Sequence, residues 1–378
     1  MKVVLFANTD WYLYNFRLPL AERLRTRGDE VLLLSPPGEY GPRLVEMGFR
    51  WQALPMDRRS LNPLKEARLL ARLAAILRRE RPDIVHGFTL KAAIYGSLAA
   101  RVTGVRGRVN SVVGMGYVFI SDEPRARLLR PIVRRLLKLA LDGQGARLIL
   151  QNPDDVELFR RAGLVDPDRV RLIEGSGVNC SRFTPGTSER DPCRPLEVLL
   201  PARLLWDKGV GEFVEAARAL KAESRNIRFL ISGDLDPGNP ASVPAEVVRG
   251  WVAEGVVEWL GHVADMPALL SRVNLVVLPS YREGLPKTLI EAAACARPII
   301  TTDAPGCRQV VSHGEDGLLV PVGDAGALRQ AIERLADDPA LALRFGAAAR
   351  RKAMERFDEE IVLSRTLAVY AEFAAPRG

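Results

Sequence analysis

Short apolar runs alternate along the chain with longer segments whose apolar positions recur every three or four residues, the pattern of strands interleaved with helices. Residues 2–7 read as a buried strand, Asn8-Thr9-Asp10 as a polar turn, 18–27 as a helix stopped at Gly28, and 30–34 as the next strand. That order opens a parallel, doubly wound α/β sheet. The alternation continues with a helix at 62–81 broken by Pro82, a strand at 83–86, a helix at 92–103 and a strand at 108–113. The glycine-rich turn Gly114-Met115-Gly116-Tyr117 follows, then a helix at 125–141, a strand at 148–150, a helix at 153–162 and a strand at 170–173. Residues 184–195, rich in Pro, Gly, Ser and charge, are the best linker. The pattern then restarts with strands at 196–200, 229–231, 257–260, 275–278, 298–301 and 317–320 and a helix at 210–221. Everything after Ala325 reads as helix, ending in the aromatic-bearing segment 359–373.

Length agrees with this doubling, since 378 residues exceed one ordinary core and suit two domains of roughly 180. No run approaches the ~18 apolar residues of a transmembrane helix. The N-terminus enters a strand-like run directly, so no signal peptide is expected. Cys180, Cys193, Cys295 and Cys307 lack metal-type spacing, which makes a reduced intracellular setting the default. With three histidines, a histidine-rich metal centre is not expected. Charge divides the chain more sharply. Residues 1–185 hold 31 Lys and Arg against 19 Asp and Glu, a net of +12, whereas residues 186–378 carry a net of −4. The basic half suits an anionic surface.

Candidate chemistry concentrates where strands give way to helices. Glu283 lies in the turn after strand 275–278 and Glu291 on the helix that follows. Two acids there could grip the hydroxyls of a sugar or ribose, or could simply cap and solvate a helix start. Arg203 and Lys208, just past strand 196–200, form a plausible diphosphate clamp or an exposed turn with incidental charges. Asp234-Leu235-Asp236 is a weak metal signal in a Pro/Gly loop. His86 and Lys91 flank another strand-to-helix turn, where a histidine is more often packed than catalytic. In helix 125–141, basic residues 127, 130, 134, 135 and 138 fall mostly on one face, and Leu128, Leu129, Ile132, Val133, Leu136 and Leu137 on the other. This is an ordinary surface helix, a helix lying on an anionic bilayer, or both. No Gly-x-Gly-x-x-Gly and no P-loop pattern is present, which argues against nicotinamide or flavin oxidoreductases and P-loop nucleotidases. No basic patch with interleaved aromatics points to nucleic acid.

Arg203 and Lys208, Gly261-His262-Val263, the Glu283-to-Glu291 stretch and Asp316-Gly317-Leu318-Leu319-Val320-Pro321 occur in the order seen in family 4 glycosyltransferases, and the resemblance covers essentially the whole chain. Ser60-Leu61-Asn62-Pro63-Leu64, the stretch from Ala202 to Val210 and Gly233-x-x-Asp236-x-x-Asn239-Pro240 resemble a narrower group, the N-acetylgalactosaminyltransferases of polyprenyl-diphosphate-linked glycans. The resemblance implies the GT-B fold: two facing doubly wound Rossmann-like domains, 1–185 for the acceptor and 186–358 for the nucleotide sugar, with helix 359–378 crossing back onto the first. It implies retaining transfer of a hexose or N-acetylhexosamine from a UDP-sugar to a lipid-linked acceptor in polysaccharide or glycoprotein glycan assembly. No metal or other cofactor is expected, and the setting would be the cytoplasmic face of an anionic membrane. Arg203 and Lys208 would hold the donor diphosphate, Glu291 the ribose, and Glu283 with Gly284 and Leu285 the sugar. The backbone around His262 would face the uracil. Amides after Pro286 would add to the phosphate site. Catalysis would fall to Arg203, Lys208, Glu283 and His86, and acceptor binding to Asn15, Arg17, Lys91 and Tyr117, with Thr89 a further contact. Three departures stand out: Asn8-Thr9-Asp10 replaces a glycine-rich turn, Phe88 a second histidine, and Gln309 a common glutamate. A sugar-nucleotide epimerase or hydrolase, or a non-catalytic UDP-sugar-binding subunit, are the rival readings.

Overall fold

A computed structural model describes residues 1–57, 60, 62–112, 124–186 and 194–374, with 124–130 described by backbone alone. The turn Gly114–Tyr117, and with it Tyr117, lies outside the described residues, as do Leu61, Cys193 and the middle of the expected linker. The chain divides into two units. One comprises Met1–Ser176 with Val362–Gly378, the other Gly177–Ile361.

The first unit carries a seven-stranded sheet. Its strands are β1 (Lys2–Phe6), β2 (Glu30–Ser35), β3 (Arg50–Ala53), β4 (Ile84–Phe88), β5 (Gly107–Ser111), β6 (Ala146–Leu150) and β7 (Val170–Leu172). They lie in the order β3-β2-β1-β4-β5-β6-β7 and every pair is parallel. The second unit has a six-stranded sheet of β8 (Leu196–Pro201), β9 (Ile227–Ser232), β10 (Glu258–Trp259), β11 (Leu275–Leu278), β12 (Ile299–Thr302) and β13 (Leu318–Val320). Its order is β10-β9-β8-β11-β12-β13, again all parallel.

Burial on both faces explains why the central strands are apolar without alternation. In β1, Val3 and Leu5 enter one core and Val4 and Phe6 the other. In β8, Val198 and Leu200 face one core and Leu199 the opposite one, and β11 divides the same way. Helices bracket these sheets with conventional ends. Asn62 caps Pro63–Glu80 by accepting from the Leu64 and Lys65 amides, and that helix ends with Arg81 in the left-handed region. The last helix, Glu359–Ala371, hands its C-terminal part to the first unit, where Val362, Leu363, Val369, Tyr370 and Phe373 pack with Val3 and Leu5.

Local differences from the sequence reading have physical causes. The polar turn at 8–10 is a helix cap, with the Thr9 hydroxyl accepting from the Tyr12 amide, so helix begins at Asp10 and passes through a π-helical turn at Leu13–Arg17 before Leu18–Thr26. Strand β3 escaped notice because it is a short edge strand whose residues are only partly buried. Helix Pro124–Leu141 buries Leu137, Ala140 and Leu141, but leaves Ile132, Leu136 and Leu139 exposed beside Arg135 and Lys138. The expected split into one apolar and one basic face is therefore corrected: apolar side chains stand on the solvent side as well.

Candidate active site

In both sheets the strand order reverses once near the centre, between β1 and β4 in the first unit and between β8 and β11 in the second. Ligands of open α/β sheets bind at such switch points, outside the carboxyl ends of the strands.

In the second unit, Pro201 ends β8 and Leu278 ends β11, so the two candidate motifs emerge side by side. Backbone contacts lock them together. Gly209 has φ +71, and any side chain there would run into the Pro279 carbonyl. The Tyr281 amide donates to the Asp207 carbonyl at 2.9 Å, and the Ser280 hydroxyl donates to the same oxygen at 3.1 Å. A third loop, after β12, joins them. The Glu283 amide donates to Pro305 O at 3.0 Å, and Gly306, with φ +83, leaves no room for a Cβ against the Glu283 carbonyl. Gln309 fixes that glycine, its side-chain oxygen accepting from the Gly306 amide at 2.7 Å. Where a glutamate was expected, an amide thus caps a turn.

These contacts bring Lys208 and Glu283, 75 residues apart, to 2.5 Å between Nζ and Oε1, with side chains only 17% and 14% exposed. Glu291 sits on helix Lys287–Ala294 among Leu289, Ile290, Ala292 and Ala293. Burial pushes its carboxyl up to about 7, opposed by the Lys287 and Arg182 charges. Lys287 Nζ stands 3.8 Å away. The N-cap of that helix, Pro286, makes no side-chain capping bond, and the positive pole of the helix favours an anion at this end.

Arg203 is placed differently. Its side chain is 57% exposed and donates to Asp236 at 2.7 Å, while Asn239 donates to the same carboxylate at 3.1 Å. His262 is exposed, with Nδ1 3.3 Å from Asp234. Its turn is anchored by the Gly233 amide, which donates to Gly261 O at 2.8 Å. The two carboxylates of Asp234-Leu235-Asp236 therefore have separate cationic or imidazole partners. No cluster of three metal-ligating side chains occurs among the described residues.

In the first unit, two of the expected functional residues are committed elsewhere. His86 has no solvent exposure, its Nδ1 is 2.6 Å from the Tyr370 hydroxyl and its Nε2 2.7 Å from the Ser111 hydroxyl. Burial, reinforced by the Arg17 charge, holds its pKa well below the ordinary value, so the ring is neutral. A catalytic role for His86 is corrected on that ground, since both nitrogens are taken and neither reaches solvent. Lys91 likewise spends its three protons on Asp57 O at 2.6 Å, Ser60 O at 3.1 Å and Glu66 Oε1 at 2.9 Å. It ties one loop to its helix, which replaces the acceptor contact expected of it. Asn15 donates to the Trp11 carbonyl at 3.0 Å. Arg17 is buried against Tyr12 and Phe88.

Two parallel α/β units, each with a switch point, make this a GT-B glycosyltransferase fold. Similar folds occur in a glycosyltransferase from Rickettsia africae (TM-score 0.77, 20% identity, 98% of each chain). They also occur in Anabaena HepE crystallised with UDP (TM-score 0.77, 18% identity, 98% of this chain and 100% of that one). The family described as glycosyl transferases group 1 matches residues 195–338, and the glycosyl transferase 4-like domain matches 16–175. The chain belongs to the family 4 glycosyltransferases. It is 30% identical, over 98% of both chains, to the N,N'-diacetylbacillosaminyl-diphospho-undecaprenol alpha-1,3-N-acetylgalactosaminyltransferase of Campylobacter jejuni. It is 28% identical, over 75% of this chain and 74% of the relative, to the UDP-Gal:alpha-D-GlcNAc-diphosphoundecaprenol alpha-1,3-galactosyltransferase of Escherichia coli.

Proposed function

We propose that this glycosyltransferase moves a hexose or N-acetylhexosamine from a UDP-sugar onto a polyprenyl-diphosphate-linked glycan, with retention of anomeric configuration and without a metal ion. The observation that carries the reading is the convergence of three strand-end loops on the Lys208–Glu283 pair, with Glu291 buried on the helix that follows. Relatives that act on undecaprenyl-diphosphate-linked sugars support the choice of acceptor.

In this mechanism Lys208 and Arg203 hold the donor diphosphate and stabilise the negative charge that grows on the departing UDP. The positive pole at the start of helix Lys287–Ala294 adds to the same field. Glu283, with the backbone of Gly284 and Leu285, accepts hydroxyls of the transferred sugar, and its bond to Lys208 presets the ammonium before the donor arrives. Glu291 accepts the ribose hydroxyls, and the backbone around His262 faces the uracil. The bond from the anomeric carbon to the diphosphate oxygen breaks, and a bond to the acceptor hydroxyl oxygen forms on the same face. The hydroxyl proton passes to the departing phosphate oxygen, so no protein nucleophile is required. A panel of UDP-sugars offered with a short polyprenyl-diphosphate acceptor, read by mass spectrometry, should give one product heavier by one sugar. UDP release at the same rate without acceptor would instead indicate an epimerase or hydrolase.

We further propose a position on the anionic cytoplasmic face of the cell membrane. No described helix is long and apolar enough to cross a bilayer. Ile132, Leu136 and Leu139, one stripe at helical spacing, are 57%, 38% and 46% exposed beside Arg135 and Lys138, an arrangement suited to lying in an anionic interface. The protein should cosediment with anionic vesicles, and Leu136→Asp with Leu139→Asp should reduce this several-fold. Equal binding to neutral and anionic vesicles would count against the idea.

A further inference from the structure

The two cations proposed to hold the donor diphosphate differ in their surroundings. Lys208 is largely enclosed beside Glu283, whereas the Arg203 side chain stands mostly in solvent. A long exposed arginine samples many rotamers, and that freedom is lost when it closes on a ligand. Here one contact limits it. Nη1 donates to Asp236 Oδ2 at 2.7 Å, and among the described residues no other group bonds the Arg203 side chain. A guanidinium carries five N–H donors in one plane, so one edge is anchored while four donors are left for a ligand.

Asp236 is itself fixed by its loop. Its Oδ2 accepts a second bond, from the Asn239 side-chain amide at 3.1 Å. The Asn239 backbone amide donates to the Asp236 carbonyl at 3.0 Å, and the Ser242 amide to the Asn239 carbonyl at 2.9 Å. The loop is also sewn to the segment that carries Arg203, on both sides of it. Before Arg203, the Ala202 amide donates to Ser232 O at 2.9 Å. After it, the Leu204 amide donates to Asp234 O at 3.0 Å, the Trp206 amide to Ala241 O at 2.7 Å and the Val243 amide to Leu204 O at 2.9 Å. Gly233 has φ +142, and any side chain there would run into the Ala202 carbonyl. Carboxylate and guanidinium therefore stand on two backbones held in fixed register.

This arrangement carries an electrostatic cost. A carboxylate on Arg203 offsets part of the positive charge that a diphosphate would meet. Charge alone would be better served without it. Direction is another matter, because a planar guanidinium bonds phosphoryl oxygens strongly only when its edge faces them. We infer that Asp236, braced by Asn239, is a positioning residue that presets the Arg203 guanidinium for the donor diphosphate. The inference rests on the proposed role of Arg203 and adds the group that aims it. Asp234, two residues earlier, faces His262 instead, so the two acids of this loop serve different partners.

Calorimetry of UDP binding to the full chain tests this, and it needs no acceptor. Arg203→Ala should raise the UDP Kd about tenfold or more. Asp236→Ala should raise it by up to about tenfold, the cost of ordering one rotamer-rich side chain on binding. Asp236→Asn keeps an oxygen for Nη1 and should recover most of that loss. In a chain that already carries Arg203→Ala, Asp236→Ala should add nothing. Additive losses in that double variant would mean that Asp236 only supports the fold, and would overturn the inference. Tighter UDP binding than wild type in either Asp236 variant would also overturn it, since the carboxylate would then be holding Arg203 away from the donor. If Asp236→Ala fails to fold, Asn239→Ala removes the brace instead and should weaken UDP binding several-fold with Arg203 present and not with Arg203→Ala. Wild-type UDP affinity in Arg203→Ala would remove the diphosphate role of Arg203 itself, an outcome distinct from additivity, and the inference would fall with it.

Discussion

Lys208→Ala is expected to lower the transfer rate by at least about a hundredfold, the usual cost of removing one preorganised group that meets charge developing in a transition state. It should also destabilise the second unit. Lys208 and Glu283 face each other at 2.5 Å with most of both side chains buried, and deleting one member leaves a carboxylate with no counter-charge. Breaking a buried pair typically costs about 3 kcal/mol, discounted here because the pair is not fully enclosed. The double variant Lys208→Met with Glu283→Gln should recover most of the lost melting temperature but none of the lost rate. Stability and chemistry are thereby separated. If Lys208→Ala keeps more than a tenth of the wild-type kcat, the lysine does not hold the leaving group.

Glu291→Gln should make the protein more stable and bind UDP less well. Burial lifts the Glu291 carboxyl from 4.5 to about 7, so between these values the folded chain holds a proton that the unfolded chain has released. Stability from this group is complete below about 4.5 and is lost as pH rises through about 7, by about 3 kcal/mol in all. The glutamine variant should show a flatter melting temperature across that window and should melt above wild type at pH 8. Ribose hydroxyls bond best to the ionised carboxylate, so wild-type UDP affinity should rise from pH 6 to pH 8, by up to about tenfold per unit below the pKa. In the variant, affinity should lose that dependence and fall about tenfold or more at pH 8. Equal UDP affinity of the two proteins at pH 8 would show that Glu291 does not hold the ribose.

The doubly wound sheets were legible because strands such as β1 and β8 are buried on both faces and read as unbroken apolar runs. Edge strand β3, part exposed, left no such trace. Sequence located Arg203, Lys208 and Glu283 in turns after strands and Glu291 on the helix that follows, since that is where ligands meet this kind of sheet. It did not reveal the pairing of Lys208 with Glu283, which depends on Gly209 against Pro279 and Gly306 against Glu283, contacts between loops from three strands. Arg203 looked like an equal partner of Lys208, but proximity along the chain says nothing about Asp236, which it reaches across the next strand. His86 misled because its partner Tyr370 is 284 residues away, and no local pattern distinguishes a histidine facing a ligand from one facing a distant hydroxyl. Arg17 carried a weak signal: a cation amid Trp11, Tyr12, Tyr14 and Phe16, where a solvated face would show more charge.

The return of residues Val362–Gly378 to the first unit bears on how the chain matures during synthesis. The second unit is continuous in sequence, so it can finish folding as soon as Ile361 clears the ribosome. The first unit, although made earlier, must wait for the helix that carries Tyr370 before His86 has its hydroxyl and the core around Val3 and Leu5 is covered. Translation order and folding order are thus reversed for the two halves. Until the helix that carries Tyr370 emerges, the nascent chain presents a nearly complete sheet with part of one apolar face uncovered, a natural client for a chaperone.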